Sequence, residues 1–286
     1  MVFLLSTAHV VNAQTLVVKD ELGHSVKVPA APQRILPLAP SLAEILFALG
    51  LNERIVGVTD FTTYPEEAMT KPRVGSFINP SLEKVVALRP DLVIAGSEAR
   101  FEQINVALIK LGIPCYQIKP SDLESTYRSI ANLGEVTGSQ EKAREVISRM
   151  RKKVAEIEAQ VAGVPVKKVF YQVNVKPIIS VGGKSLVADL VGRAGGLLIT
   201  ADIPIRYPHY SVERVIVDAP DVIVISAMAQ GFNYDYFKNI WQRCESIPAV
   251  RNNQIYLIKS EIVDRASPRI IEGLAKLAEF IHPESK

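Results

Sequence analysis

SLEKVVALRPDLVIAG (Ser81–Gly96) and SVERVIVDAPDVIVIS (Ser211–Ser226) are two copies of one pattern, 130 residues apart. Each reads Ser, apolar, Glu, basic, then apolar residues at helical spacing, then Pro-Asp, then a run rich in β-branched residues. A serine is a good helix cap, a proline ends the helix, and a short apolar β-branched run suits a strand buried on both faces. Each copy is therefore a helix, a turn and a strand. The glutamate two residues after the cap gains about 0.3–1 kcal/mol from the helix dipole. That local gain accounts for an acid at the position, but not for one copy in each half of the chain.

Working outward, LVVKDELGHSVKV alternates around Glu21–Gly23 as a hairpin. RILPLAP (Arg34–Pro40) reads as a strand, and SLAEILFALGL as a helix with Ser41 and Glu44 in a capping box and Gly50 at its end. RIVGVTD reads as the next strand. A helix near Arg100–Leu111, the strand CYQI and a helix near Leu123–Thr137 continue the alternation, which implies parallel α/β sheets. In SQEKAREVISRMRKKVAEIEAQVAG (Ser139–Gly163), the residues Ala143, Val146, Ile147, Met150, Val154, Ile157 and Val161 form one apolar face. Ser139 is placed to cap this helix, and Gly163 with Pro165 to end it. About 23 residues at 1.5 Å give roughly 35 Å, enough to run from one lobe to another. The alternation then resumes with KKVFYQV, a helix near Ser185–Ala194, the second repeat copy, QIYLI and a helix near Pro268–Ile281. The expected architecture is two α/β lobes, residues 14–138 and 164–286, joined by a bridging helix over 139–163, with a ligand cleft between them.

Composition agrees with packed lobes: 48% of the 286 residues are hydrophobic and 22% charged. The net charge of +3 comes from scattered basic residues, without the aromatic-interleaved basic tract that would suggest nucleic acid. Residues 1–13, MVFLLSTAHVVNA, resemble the back half of a secretory signal cleaved after Ala13. The other reading is an irregular or β-strand N-terminus. No cysteine near residue 13 offers a lipid-anchor site, and the two cysteines, Cys115 and Cys244, read as unpaired thiols rather than a disulfide.

Little in the sequence supports catalysis. VGGKS (Val181–Ser185) lacks the first glycine of a phosphate loop, since Ile178 stands there, and reads as a turn before a helix. There is neither a G-x-S-x-G elbow nor an H-E-x-x-H pair, and the four histidines (9, 24, 209, 282) lack metal-ligand spacing. The aromatic loops TDFTTYP, GSFINP and IRYPHY lie at predicted strand or helix ends, where parallel sheets place their ligands. Their rings suit either a pocket wall or a core.

RILPLAPSLAEILFALGL, VGVTDFTTYP, SLEKVVALRPDLVIA and SEIVDRASPRI resemble the substrate-binding proteins of ABC importers for cobalamin, haem and ferric siderophores, the cobalamin binders most of all. That resemblance implies an exported, periplasmic carrier, monomeric when free and performing no chemistry. It would take no cofactor of its own, bind a corrinoid, and deliver it to a permease dimer with its ATPase subunits. Phe61, Phe77 and Tyr207 match ring walls for a flat macrocycle, and Glu261 and Arg265 match polar positions beside corrin amides. Glu83 and Glu213 match the glutamates that pair with permease arginines. For haem, Tyr64, Tyr207, His209 or Tyr210 could supply an axial ligand. Two departures concern the ligand: Gly96 stands where some cobalamin binders have tryptophan, and AQGFNYDYF (Ala229–Phe237) looks like an extra aromatic loop. An enzyme processing metal chelates on a similar scaffold is the rival of another class.

Overall fold

The computed structural model describes residues 15–97, 102–227 and 234–284; the expected leader over residues 1–13 lies outside them. The hairpin forms as β1 (Thr15–Lys19) and β2 (Ser25–Pro29), antiparallel. Its turn is closed by Asp20, whose carboxylate accepts the N–H groups of Leu22 and His24 at 3.0 and 2.8 Å. β3 (Ile35–Pro37) and α1 (Pro40–Ala48) follow.

Two sequence expectations fail here. Helix α1 starts at Pro40, because proline has no N–H to leave unpaired and its fixed φ suits the first helical position. Ala39 is then the cap, Ser41 lies inside the helix, and Glu44 forms no capping box but turns inward. RIVGVTD makes only isolated bridges, Ile35 with Ile55 and Val58 with Arg73. The N–H of Val56 goes to Ile35 and that of Val58 to Pro72, so no single neighbour receives a continuous ladder.

The first lobe continues through α2 (Leu82–Ala87), β4 (Leu92–Gly96), α3 (Glu102–Lys110), β5 (Cys115–Ile118) and α4 (Leu123–Thr137), with a parallel sheet in the order β3-β4-β5. Helix α5 (Gln140–Gln160) comes next; Ser139 occupies its cap position, but the hydroxyl makes no capping bond. The second lobe holds β6 (Lys167–Gln172), the small hairpin β7 (Asn174–Val175) and β8 (Ile178–Ile179), α6 (Leu186–Arg193) and β9 (Gly196–Leu198). It then adds α7 (Val212–Asp218), β10 (Val222–Ala227), α8 (Tyr234–Gln242), α9 (Pro248–Arg251), β11 (Ile255–Lys259), α10 (Ser260–Val263) and α11 (Ile270–Ile281). Its parallel sheet runs β11-β10-β6-β9. The VGGKS glycines serve close backbone passage: a Cβ on Gly182 would lie 2.0 Å from the Ile205 carbonyl oxygen, and one on Gly183 1.9 Å from that of Ala201.

The repeat is preserved in its hydrogen bonds. Ser81 and Ser211 cap α2 and α7 by accepting the N–H of Lys84 (3.3 Å) and Arg214 (3.1 Å). Each helix leaves through a residue in the left-handed region, Arg89 (φ 45°) and Ala219 (φ 47°). The aspartate of each Pro-Asp then grips the neighbouring strand. Asp91 accepts the N–H groups of Gln33 and Arg34 at 2.7 and 2.8 Å, and Asp221 that of Lys168 at 2.8 Å. In return, Arg34 and Lys168 reach the last carbonyls of those helices, Leu88 (2.7 Å) and Asp218 (3.3 Å), where a cation suits the helix dipole.

Both strands bury both faces, as their composition requires. Leu92 and Ile94 face the core shared by the two lobes, while Val93 and Ala95 face a smaller one under α2 and α3. Val222 and Val224 likewise face the shared core, and Ile223 and Ile225 the one holding Trp241. Helix α5 lies along the shared core. Its buried residues are Ala143, Val146, Met150, Val154 and Ile157, and it packs on α4 of one lobe and α11 of the other. Its 21 residues span about 31 Å. Among the described residues no helix is long and apolar enough to cross a membrane, and Cys115 and Cys244 are unpaired.

Replacing Asp91 by alanine deprives two backbone N–H groups of their acceptor, whereas Asp221→Ala deprives one. The expected loss is about 1–2 kcal/mol for Asp91→Ala and about half that for Asp221→Ala. Urea unfolding should show lower midpoints with unchanged slopes.

Candidate ligand-binding site

The first lobe offers two rings from two loops. Phe61 and Phe77 meet edge to face, centroids 5.7 Å apart at 84°, a favoured aromatic geometry. Phe61 is 53% exposed, yet its loop is rigid. Thr59 and Thr62 are buried and bonded to each other at 3.1 Å, and Arg73 donates to both of their carbonyls at 2.7 and 2.8 Å. Phe61 is thus a half-exposed ring held out on a braced loop.

The second lobe meets these loops through the segment after β11. Arg265 donates to the Phe61 carbonyl at 3.3 Å and stands 3.7 Å from Glu261, which accepts from Thr63 at 3.4 Å. Behind them sits Glu44, its side chain only 1% exposed. It accepts from Arg265 at 2.9 Å and from the Ser267 hydroxyl at 2.6 Å, with Arg269 at 3.7 Å. Burial lifts the Glu44 carboxyl above its ordinary range against the lowering effect of Ser267, Arg265 and Arg269. The Arg269 guanidinium also lies over the Tyr64 ring, 4.1 Å from its centroid.

One further residue lies inside the SEIVDRASPRI stretch, but the sequence alone gives it no role. Asp264 accepts from the Tyr171 hydroxyl at 3.2 Å and from Ser226 at 3.1 Å, both donors fully buried at the ends of β6 and β10. The residue as a whole is exposed, and its carboxyl sits against those two buried hydroxyls. Desolvation there pushes the carboxyl up to about 6, against Ser226, Tyr171, Arg265 and Arg206, which favour the ionised form. Tyr207 stands within electrostatic reach of Tyr171, is 52% exposed, and has Arg206 at 5.5 Å from its ring centroid. The repeat register extends to these rings: Phe77 and Tyr207 are also 130 residues apart, each four residues before its cap serine.

Thus Phe61, Phe77, Glu261 and Arg265 are gathered at one place, while Tyr207 is a half-exposed ring of the second lobe with Arg206 beside it. Of the other phenols, Tyr210 stacks on Phe170, 5.7 Å away, and bonds to Asp218, which draws it into the lobe. Gly96 ends β4 with its carbonyl accepting from Gln117 at 3.2 Å. Of AQGFNYDYF, residues 229–233 lie outside the described residues, and the remainder opens helix α8 rather than a loop. Glu83 and Glu213 are both exposed, and the N–H of Glu213 itself and the Ser211 hydroxyl hold the Glu213 carboxyl below its usual range. Two shallow cavities, about 480 and 530 Å³, lie elsewhere: one along Glu158, Asp189 and Arg193, the other between β1 and α4. Arg193 in the first is already paired with Glu158 and Asp189, at 2.7 and 3.0 Å.

The periplasmic binding protein family matches residues 35–262. The chain belongs to that family. A vitamin B12-binding protein of Vibrio parahaemolyticus is 29% identical over 249 residues, covering 86% of this chain and 88% of that protein. The crystal structure of the periplasmic vitamin B12-binding protein of Vibrio cholerae superposes with a TM-score of 0.78 at 26% identity, covering 89% of this chain and 98% of that one. A periplasmic haem-binding protein of Roseiflexus shares the fold, with a TM-score of 0.80, 22% identity and coverage of 89% and 99%. In this chain the ring loops and the Arg265 segment come from opposite lobes.

Asp264 is expected to titrate near pH 6 by carboxyl carbon NMR, and Tyr171→Phe, which removes a donor to the ionised form, should raise that midpoint. Because the folded value lies above the unfolded one, the native state holds the extra proton. Stability conferred by this residue therefore grows as pH falls from about 6 towards the ordinary carboxylate value of about 4. Asp264→Asn should flatten that slope in denaturant unfolding.

Proposed function

We propose that the protein captures cobalamin or a related corrinoid between its lobes, outside the cytoplasmic membrane, and delivers it unchanged to an ABC importer. The names of the relatives support this reading, and the composition of the cleft carries it. Exposed rings on rigid loops suit a flat macrocycle, and a few placed polar groups suit its periphery. The floor is rich in acceptors: Glu261 and Asp264 contribute carboxylates, while the Arg265 charge is already met by Glu44 and Glu261. Acceptors fit the N–H groups of amide side arms and repel carboxylate side arms such as those of haem. Phe61, Phe77 and Tyr207 are the proposed walls, with Glu261, Asp264 and Arg265 as the polar contacts.

Glu83 and Glu213, one per lobe at equal register, are the proposed contacts to the two halves of a permease. Such a pair fixes orientation and encounter more than raw affinity.

Calorimetric titration of the purified protein with cyanocobalamin should show saturable one-to-one binding that weakens as pH falls below about 6, where Asp264 stops being an ionised acceptor. Asp264→Asn should abolish that pH dependence. Saturable binding of haemin with a shifted visible spectrum, and no heat with cyanocobalamin, defeats the corrinoid reading in favour of an axial tyrosine such as Tyr207. Turnover of either compound would instead reveal an enzyme.

The double variant Glu83→Ala, Glu213→Ala should bind cyanocobalamin as the parent does. In cells relying on this carrier, its uptake should fall by about tenfold or more, the range expected when two modest intermolecular ion pairs are removed together. Undiminished uptake removes the docking role from both residues.

A further inference from the structure

We infer that Glu44 is the positioning residue of the cleft, a latch that sets the spacing of the lobes and the placement of the polar floor without facing the ligand. The choice of ligand in the test rests on the function proposed above; the latch does not. Glu44 does nothing for its own helix, which starts at Pro40 and takes no capping bond from it. Its side chain is 1% exposed, and a carboxylate so placed is costly unless fully met by donors. The groups that meet it, the donors Arg265 and Ser267 and the nearby charge of Arg269, all come from one five-residue segment of the other lobe. That segment adjoins Asp264, and one turn earlier it carries Glu261. The three polar groups of the floor are therefore tethered through Glu44 to α1 of the first lobe.

Loss of the carboxylate would do more than remove a bond. Arg265 and Arg269, each only 17% exposed, would lose the buried carboxylate they share and keep only the longer ion pairs to the more exposed Glu261 (3.7 Å) and Glu272 (3.6 Å). Mutual repulsion would drive the segment outward and separate the lobes at the front of the cleft, while α5 still joined them at the back. A merely structural cluster makes a different forecast: lower stability, with spacing and affinity unchanged.

The test uses the full chain with spin labels on Ile109→Cys in the first lobe and Val217→Cys in the second, both exposed, in a Cys244→Ser background. Buried Cys115, its thiol pushed up to about 12, is left in place. Interlobe distances are measured by pulsed electron resonance without ligand, and cyanocobalamin affinity by calorimetry. Glu44→Ala is expected to broaden the distance distribution and to weaken binding by about tenfold or more, with Glu44→Gln, which keeps an acceptor and loses the charge, falling between. Lower thermal stability with an unchanged distribution and unchanged affinity overturns the proposal, and broadening without loss of affinity overturns the positioning role. Should Glu44→Ala fail to fold, Glu44→Gln and Ser267→Ala carry the same readouts. If the parent protein binds no cyanocobalamin, the functional reading fails, and the distances alone decide: a broadened distribution upholds the latch and an unchanged one removes it.

Discussion

The apolar stripe of α5 can leave water only if both lobes press on it together, and the cleft depends on that constraint. Ala143, Val146, Met150, Val154 and Ile157 belong to a core that runs without a break from Leu46 of α1 through Ile130 of α4 to Leu277 of α11. Rotating one lobe against the other would expose part of that stripe, at about 25 cal/mol for each Å² of apolar surface. Two strands of loop joining the lobes would impose no such cost. The lobes therefore meet at a spacing set by side-chain volume at the back and by the Glu44 cluster at the front.

Within that frame, the repeated unit explains how distant functions share one register. A cap serine, an exposed glutamate, a left-handed exit and a strand-gripping aspartate recur in each lobe, and the ring four residues before the cap belongs to the same pattern. Phe77 and Glu83, like Tyr207 and Glu213, are separated by six residues, so a cleft wall and a proposed docking group lie on one short covalent span in each lobe. The shared helix start fixes both: Ser81 and Ser211 hold the first turn, and Arg34 and Lys168 hold the last.

How much of this is legible in sequence depends on the range of the interactions. The apolar face of α5, the caps at Ser81 and Ser211, and the doubly buried repeat strands follow from local pattern, and the structure has them where the pattern puts them. RIVGVTD misleads because β-branched alternation says nothing about which neighbour will take the N–H groups, and here two do. Glu44 misleads for a sharper reason. S-x-x-E is a valid local motif, but Pro40 starts the helix two residues early, and the carboxylate's real partners lie more than 200 residues away in sequence. Local pattern gives Asp264 no role either, since its donors Tyr171 and Ser226 come from two other strands. The ring loops are visible as loops, but only the tertiary structure shows that Arg73 staples one of them and that Tyr210 turns away.

In the proposed function, a cleft built this way grips by preorganisation more than by closing. A ring already held out on the Arg73-stapled loop, and acceptors already held by Glu44, Tyr171 and Ser226, order little further when a ligand arrives, which lowers the entropic cost of binding. The same rigidity means that thermal opening of the lobes is a poor route to release. In the proposed carrier cycle, release then falls to the transporter. A partner engaging Glu83 and Glu213 holds the two helices whose preceding loops carry Phe77 and Tyr207. Drawing those helices apart strains the Glu44 latch, because Glu44 and its partners form a buried charged link between the lobes. Breaking it exposes ionic groups to water, which rehydrates them and offsets part of the cost of separation. A polar latch thus opens under load at less cost than an apolar seam of the same size, which is a physical reason to place ions at the front of the cleft and hydrocarbon at the back.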